Sequence, residues 1–159
     1  MTFVSYAQNF EDVILWRVLK NVSSGFYIDV GANDPVIDSV SHAFYQRGWR
    51  GIHVEPIPVY AEKIRAARPD ETVIEAAVNN VPGKIVFFDI DKTGMSTGCG
   101  DIANKHSESG FAFQRIQVST TTLAEIFETV KGRDIHWLKI DIEGMEEAAL
   151  RSWGESAVR

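Results

Sequence analysis

Gly25-Phe26-Tyr27-Ile28-Asp29-Val30-Gly31-Ala32-Asn33-Asp34 is the stretch whose reading decides the fold. Its first half is apolar, aromatic and β-branched, the composition of a buried strand. With no linker it gives way to a glycine, then to small and polar residues. A strand ending in a tight glycine turn lets backbone N–H groups come close to a ligand, because no side chain holds it off. In an open α/β sheet, ligands bind just beyond the carboxyl ends of such strands. The same glycine would equally serve a plain strand-to-loop turn that needs an unusual φ.

Outward from this strand the chain alternates helix and strand. On the N-terminal side, Asn9 is placed to cap a helix running to about Lys20, with Glu11 and Asp12 in the first turn, where the helix dipole favours negative charge. Phe10, Val13, Ile14 and Val18 recur at helical spacing and are expected to pack on the sheet. On the C-terminal side, Asp38 or Ser39 caps a helix to Arg47, with Val40, Ala43 and Phe44 facing inward and Gly48 as the stop. Trp49 to Glu55 reads as a second strand ending in an acid. Pro56 and Pro58 open a helix to about Arg68, which Pro69 ends. Thr72 to Val78 is a third strand, Pro82-Gly83 a turn, and Lys84 to Ile90 a further strand.

From Asp91 to Gly110 the pattern changes: Gly94, Gly98, Gly100 and Gly110 alternate with Ser, Thr, Asn and Lys, and no periodicity survives. This reads as a mobile loop of the length used for lids and substrate recognition. Arg115 to Thr120 returns to strand-like alternation, and Thr122 with Glu125 forms a capping box for a helix through Val130. Ile135 to Ile142 is a buried strand, which Glu143-Gly144 turns into a helix from Met145 to about Trp153. The expected fold is α/β: one domain, residues 1–159, with a mostly parallel sheet and helices on both faces.

Composition sets outer bounds. Hydrophobic residues are 45% and charged residues 24%, ordinary values for a globular chain. A net charge of −6 argues against a general nucleic-acid binder. No apolar run approaches the roughly 18 residues of a membrane span, and the N-terminus lacks the basic-then-apolar order of a signal peptide. A lone cysteine, Cys99, excludes an internal disulfide framework and points to a reducing, cytoplasmic setting.

Three strand ends carry polar residues to one edge of the expected sheet: Asp29 to Asn33, Glu55-Pro56, and Asp141 to Gly144. Glu55 lies 24 residues past Gly31, where a nucleotide-binding fold places the acid that accepts ribose hydroxyls. After Gly31 the chain continues Ala32-Asn33-Asp34-Pro35, so the G-x-G-x-x-G that seats a pyrophosphate is absent. No Lys or Arg stands between Gly31 and Arg47 to neutralise a phosphate. A ligand with ribose and adenine but no phosphates is expected, and S-adenosylmethionine has that description.

Tyr27-Ile28-Asp29-Val30-Gly31-Ala32-Asn33, Gly48-Trp49-Arg50-Gly51 before Val54-Glu55-Pro56, and Leu138 to Glu146 closely resemble the FkbM-type methyltransferases. Ser5 to Asp12 resembles that family's N-terminal segment, and the four motifs occur in the family's order. The resemblance implies a Rossmann-like class I methyltransferase fold and O-methylation of a sugar, glycan or natural product, the partner being that small-molecule or glycan acceptor. It implies that Asp29, Gly31, Ala32 and Asn33 surround the methionine and ribose of the cofactor. Glu55 would hold the ribose hydroxyls, with Pro56 and Ala77 beside the adenine. Asp141 would lie near methyl donor and acceptor. Gln8 and Asp12 would close the methionine side, or serve only the first helix.

Asp141 or Glu143 is then the general base, or orients the acceptor hydroxyl. Among the histidines, His53 is expected to be structural and His106 to be the better catalytic candidate. Lys139 is expected to be a strand residue with a local partner, and a divalent ion remains open because no complete ligand set can be counted. A non-catalytic cofactor- or partner-binding module with the same fold is the alternative. The resemblance also implies that such a fold continues past the Asp141 strand. The chain is therefore expected to be truncated at its C-terminus, leaving an apolar edge strand and a cofactor half-site without turnover.

Overall fold

The computed structural model describes residues 3–154. In chain order the elements are α1 (Glu11–Leu19), β1 (Phe26–Val30), α2 (His42–Tyr45), β2 (Arg50–Val54), α3 (Pro58–Ala67), β3 (Thr72–Ile74) and β4 (Ala77–Val78). Then follow β5 (Gly83–Asp89), α4 (Gly100–Glu108), β6 (Gln114–Thr121), α5 (Leu123–Thr129), β7 (Trp137–Ile140) and α6 (Glu146–Arg151).

β1 is buried along its whole length and sits inside a parallel sheet of order β3-β2-β1-β7. Alternation along a strand divides its side chains between two faces. Phe26, Ile28 and Val30 go to one face, where Ile52 and Val54 join them under Leu123, Ile126 and Phe127 of α5 and Ala149 of α6. Tyr27 goes to the other, packed with Phe44, Trp49 and Trp137 and backed by Leu15, Trp16 and Leu19 of α1. The expected α/β architecture, a parallel sheet with helices on both faces, is therefore present. β7 is the outermost strand of this sheet among the described residues. The last five residues, 155–159, which entered the truncation expectation, lie outside the described range. No described helix is long and apolar enough to cross a membrane.

The structure corrects five local expectations. Thr72 to Val78 is not one strand. Ala76 N–H bonds back to the Ile74 carbonyl at 3.1 Å, a tight turn that sends β3 to β2 and β4 to β6 in a second sheet of order β4-β6-β5. In that sheet β5 and β6 run antiparallel.

Phe10, Ile14 and Val18 do not pack on the sheet; they are 65%, 61% and 77% exposed. The inward face of α1 runs instead through Asp12, Leu15, Trp16 and Leu19. Asp12 is fully buried because its carboxylate accepts the Ser5 hydroxyl and the Tyr6 and Ala7 N–H groups, so a charged residue occupies a core-facing position. Asn9 does not cap this helix. The cap position is Phe10 at φ 62 without a side-chain bond, and Asn9 donates its own N–H to Glu11.

The Asp38-to-Arg47 helix is a four-residue α2 without a side-chain cap, although Val40, Ala43 and Phe44 are buried as expected. Finally, residues 91–110 are not a featureless loop. Thr97 is fully buried and bridges to Phe88, and α4 follows directly. Its sequence hides it: Ile102 and Ala103 are the only apolar side chains beyond glycine, and Cys99 at the N-cap makes no side-chain bond. The Thr122/Glu125 capping box forms as read, with Thr122 Oγ1 accepting the Glu125 N–H at 3.1 Å.

Candidate active site

Because β1, β2 and β7 are parallel, their carboxyl ends meet at one edge. β1 leaves through Gly31 at φ 76 and Asn33 at φ 52, and β7 through Glu143 at φ 50 and Gly144 at φ 95. Two neighbouring strands thus end in left-handed turns. At Gly31 a Cβ would overlap the Asp141 carbonyl, so the neighbouring strand's backbone is what demands glycine there.

Most N–H groups of these turns are spoken for. Gly31 and Ala32 donate to the Val54 carbonyl at 2.9 and 3.4 Å. Asn33 donates to Glu55 Oε2 at 2.8 Å, while Glu55 Oε1 accepts Ile57 N–H at 2.9 Å. Across the sheet edge Glu146 does the same, accepting Ile142 and Gly144 N–H at 3.1 and 2.9 Å. One carboxylate ties each turn, as the cost of an unpaired buried N–H requires. The expectation that the Gly31 turn offers free N–H groups to a ligand is corrected accordingly.

A cavity of about 620 Å³ opens at this edge. Of the residues singled out in sequence, Gln8, Gly31, Ala32, Asn33, Asp141 and Glu143 line it together. Thr93, Gly94 and Met95 also line it, so part of the 91–110 segment does reach the candidate site. Asp29 lies beneath, 1% exposed, and does not itself line the cavity. Glu55 reaches the site through the Asn33 backbone. Pro56 is buried beside it, and Ala77 packs with Ile57, Tyr60 and Phe87; neither lines this cavity.

Lys139 joins the parts. Its ammonium donates to the Gly31 carbonyl at 2.7 Å and lies 3.3 Å from Asp29 and 3.7 Å from Asp141. Burial works against its charge, but the two carboxylates outweigh that and hold its pKa above the usual lysine value. The expected local partners of Lys139 are thus present. Burial pushes Glu55 up to about 7 despite its two N–H bonds. Burial and then the Asp141 charge raise Glu143. For Asp29, burial is outweighed by Lys139, His53 and the Ser41 hydroxyl, and its carboxyl stays below the usual range.

His53 is structural, 1% exposed with Nε2 2.8 Å from Glu71. His106 lies on α4 and does not line the cavity. Among the described residues no group of three or more His, Cys, Asp or Glu side chains is arranged to hold a metal ion. Sequence reasoning missed Glu146 as the tie of the β7 turn, and Glu11 and Asp38 as cavity lining. Only Glu146 left a signal, two residues past a strand-end glycine.

The α4 segment locks the β7 turn in place. Thr97 Oγ1 donates to the Glu143 carbonyl at 2.6 Å, and Ile102 of α4 fills the space where a Cβ on Gly144 would lie. Gly144→Ala should therefore cost more than the ~1–2 kcal/mol of a left-handed alanine, read as a shift in urea midpoint. Adding Ile102→Ala should recover the excess; no recovery would mean that α4 does not press on this turn.

Comparisons with curated proteins and with solved structures return no significant match. A family model does match, and it covers all three strand ends that build the cavity edge. With the methyltransferase FkbM domain matched over residues 29–159, the chain belongs to the FkbM methyltransferase family.

Proposed function

We propose that this domain transfers a methyl group from S-adenosylmethionine to a hydroxyl of a sugar, glycan or natural-product acceptor, on a Rossmann-like class I methyltransferase fold in the cytoplasm. The observation that carries the reading is the cavity at the joined ends of β1 and β7, walled by acidic residues, with both strand ends inside the stretch 29–159 that the family model matches. The residues suit the cofactor. A cavity holding Asp141, Glu143, Glu11 and Asp38 favours a cationic ligand, and the sulfonium is one. Each Glu55 oxygen accepts one N–H and keeps a lone-pair direction for a ribose hydroxyl.

Bound S-adenosylmethionine supplies an electrophilic methyl group on sulfur. On this reading Gln8, Gly31, Ala32 and Asn33 surround its methionine and ribose, and Pro56 and Ala77 flank its adenine. Asp29 acts from below by fixing Lys139, which in turn holds the Gly31 carbonyl and the Asp141 carboxylate. Glu143, its basicity raised by burial and by Asp141, takes the proton of the acceptor hydroxyl, while Asp141 orients that hydroxyl. Fixing the two reactants supplies much of the remaining rate.

The test is calorimetric titration with S-adenosylmethionine and its demethylated product, followed by turnover on a hydroxyl panel. Absence of cofactor binding would sink the proposal; binding without transfer to any acceptor would favour a module that has lost catalysis. Asp141→Asn is expected to lower kcat on the order of 10²-fold while leaving cofactor affinity within about twofold. A parallel fall in both would reassign Asp141 to the cofactor.

A further inference from the structure

We infer that the acceptor is an uncharged or amine-bearing hydroxyl compound, and that phosphorylated acceptors are excluded from this cavity. The inference rests on the methyl-transfer reading above and narrows its substrate class. Four carboxylates line the cavity, those of Glu11, Asp38, Asp141 and Glu143, against the single ammonium of Lys139. That ammonium is already committed: the Gly31 carbonyl, Asp29 and Asp141 surround it at 2.7, 3.3 and 3.7 Å.

Five backbone donors of the two turns are committed as well. Gly31, Ala32 and Asn33 give their N–H groups to Val54 and Glu55, and Ile142 and Gly144 give theirs to Glu146. An entering phosphate would lose its water shell, find no uncommitted cation among the lining residues, and face like charge at short range. The donor does not reverse the sign, because its sulfonium adds one net positive charge against several negative ones. A neutral acceptor meets the opposite situation. Its hydroxyls donate charge-assisted hydrogen bonds to Asp141 and Glu143, and an amine forms an ion pair with either. Val40, Met95 and Trp137 supply apolar wall for the face of a ring.

The experiment uses the full chain with the demethylated cofactor product bound, binding of that product being measured first by calorimetry. Saturation-transfer NMR titrations then compare methyl glucopyranoside, its 2-amino counterpart and its 6-phosphate at low and high salt. The neutral and amino compounds should give saturation transfer, and the phosphate should bind at least tenfold more weakly at low salt. Glu143→Gln should narrow that gap. Equal or tighter binding of the phosphate overturns the inference. So does an absence of signal from all three while the cofactor product is bound, since the cavity would then not receive such an acceptor. Failure of the cofactor product to bind is a different result and refutes the underlying reading.

Discussion

Arg68→Met is expected to destabilise the fold by about 3–5 kcal/mol, the usual consequence of removing one partner from a buried ion pair. Arg68 ends α3 and is 1% exposed. Its Nη1 donates to Ser41 Oγ at 2.8 Å and to the Tyr27 hydroxyl at 3.2 Å. Its Nη2 donates to the Pro35 carbonyl at 2.6 Å and to Ser39 Oγ at 3.0 Å. Glu71, whose side chain is fully buried, lies 3.5 Å away. Ser41 passes the connection on, donating to Asp29 at 2.7 Å.

A row of charges therefore runs under the sheet from Glu71 through Arg68 to Asp29 and Lys139, two positive and two negative. Removal of the guanidinium leaves buried Glu71 with only the Tyr27 hydroxyl and His53 as partners, and frees residues 35–41, which carry Asp38 and Val40 of the cavity wall. Urea denaturation of the purified variant measures the first effect, and cofactor titration the second. Arg68→Lys, which keeps the charge but not the five-donor fork, should fall between. A loss below about 1 kcal/mol would show that neither the ion pair nor the loop anchoring has the assigned role.

The second large effect concerns pH and Glu55. An acid held at about 7 in the fold and near 4.5 in the unfolded chain binds its proton more tightly when folded. Its contribution to stability is then fully present below pH 4.5 and lost as pH rises through 7, in all about 3 kcal/mol. The groups facing it are the Asn33 and Ile57 N–H donors, Lys139, which lowers it, and Asp29, which raises it. Glu143, also raised, adds to the same slope, whereas His42, lowered by burial, opposes it. Asp29 and Asp34, held low, contribute only in the acid range below it.

The difference between the native chain and Glu55→Gln isolates the carboxyl. Between pH 5 and pH 8 the native chain should lose stability relative to the glutamine variant, by urea titration at each pH. A constant difference across that range would mean that Glu55 titrates normally and is not desolvated.

Much of this architecture is legible from residue order alone. The run Phe26 to Val30 needs two covered faces, and Glu55 and Asp141 end strands of similar composition. Parallel alignment then brings those ends to one edge without further information. The Thr122/Glu125 box is equally local, because both partners of both hydrogen bonds lie within three residues.

What the tertiary structure alone decided depends on partners far apart in the chain. Arg68 reads as a helix terminus, and its burial follows from Tyr27, Ser41 and Glu71 closing around it. Asp12 reads as a first-turn charge, and faces inward because three donors from residues 5–7 meet it there. The α4 helix has too few apolar positions to show a period, and holds its place through Ile102 against Gly144 and Thr97 against Glu143. Gly31 reads as an opening for a ligand, and is instead filled by the Asp141 carbonyl of a strand more than a hundred residues later. Periodicity and capping report what a residue does within its own turn of chain. The sign and donor supply of the cavity arise where separate turns meet, and only the folded chain sets them.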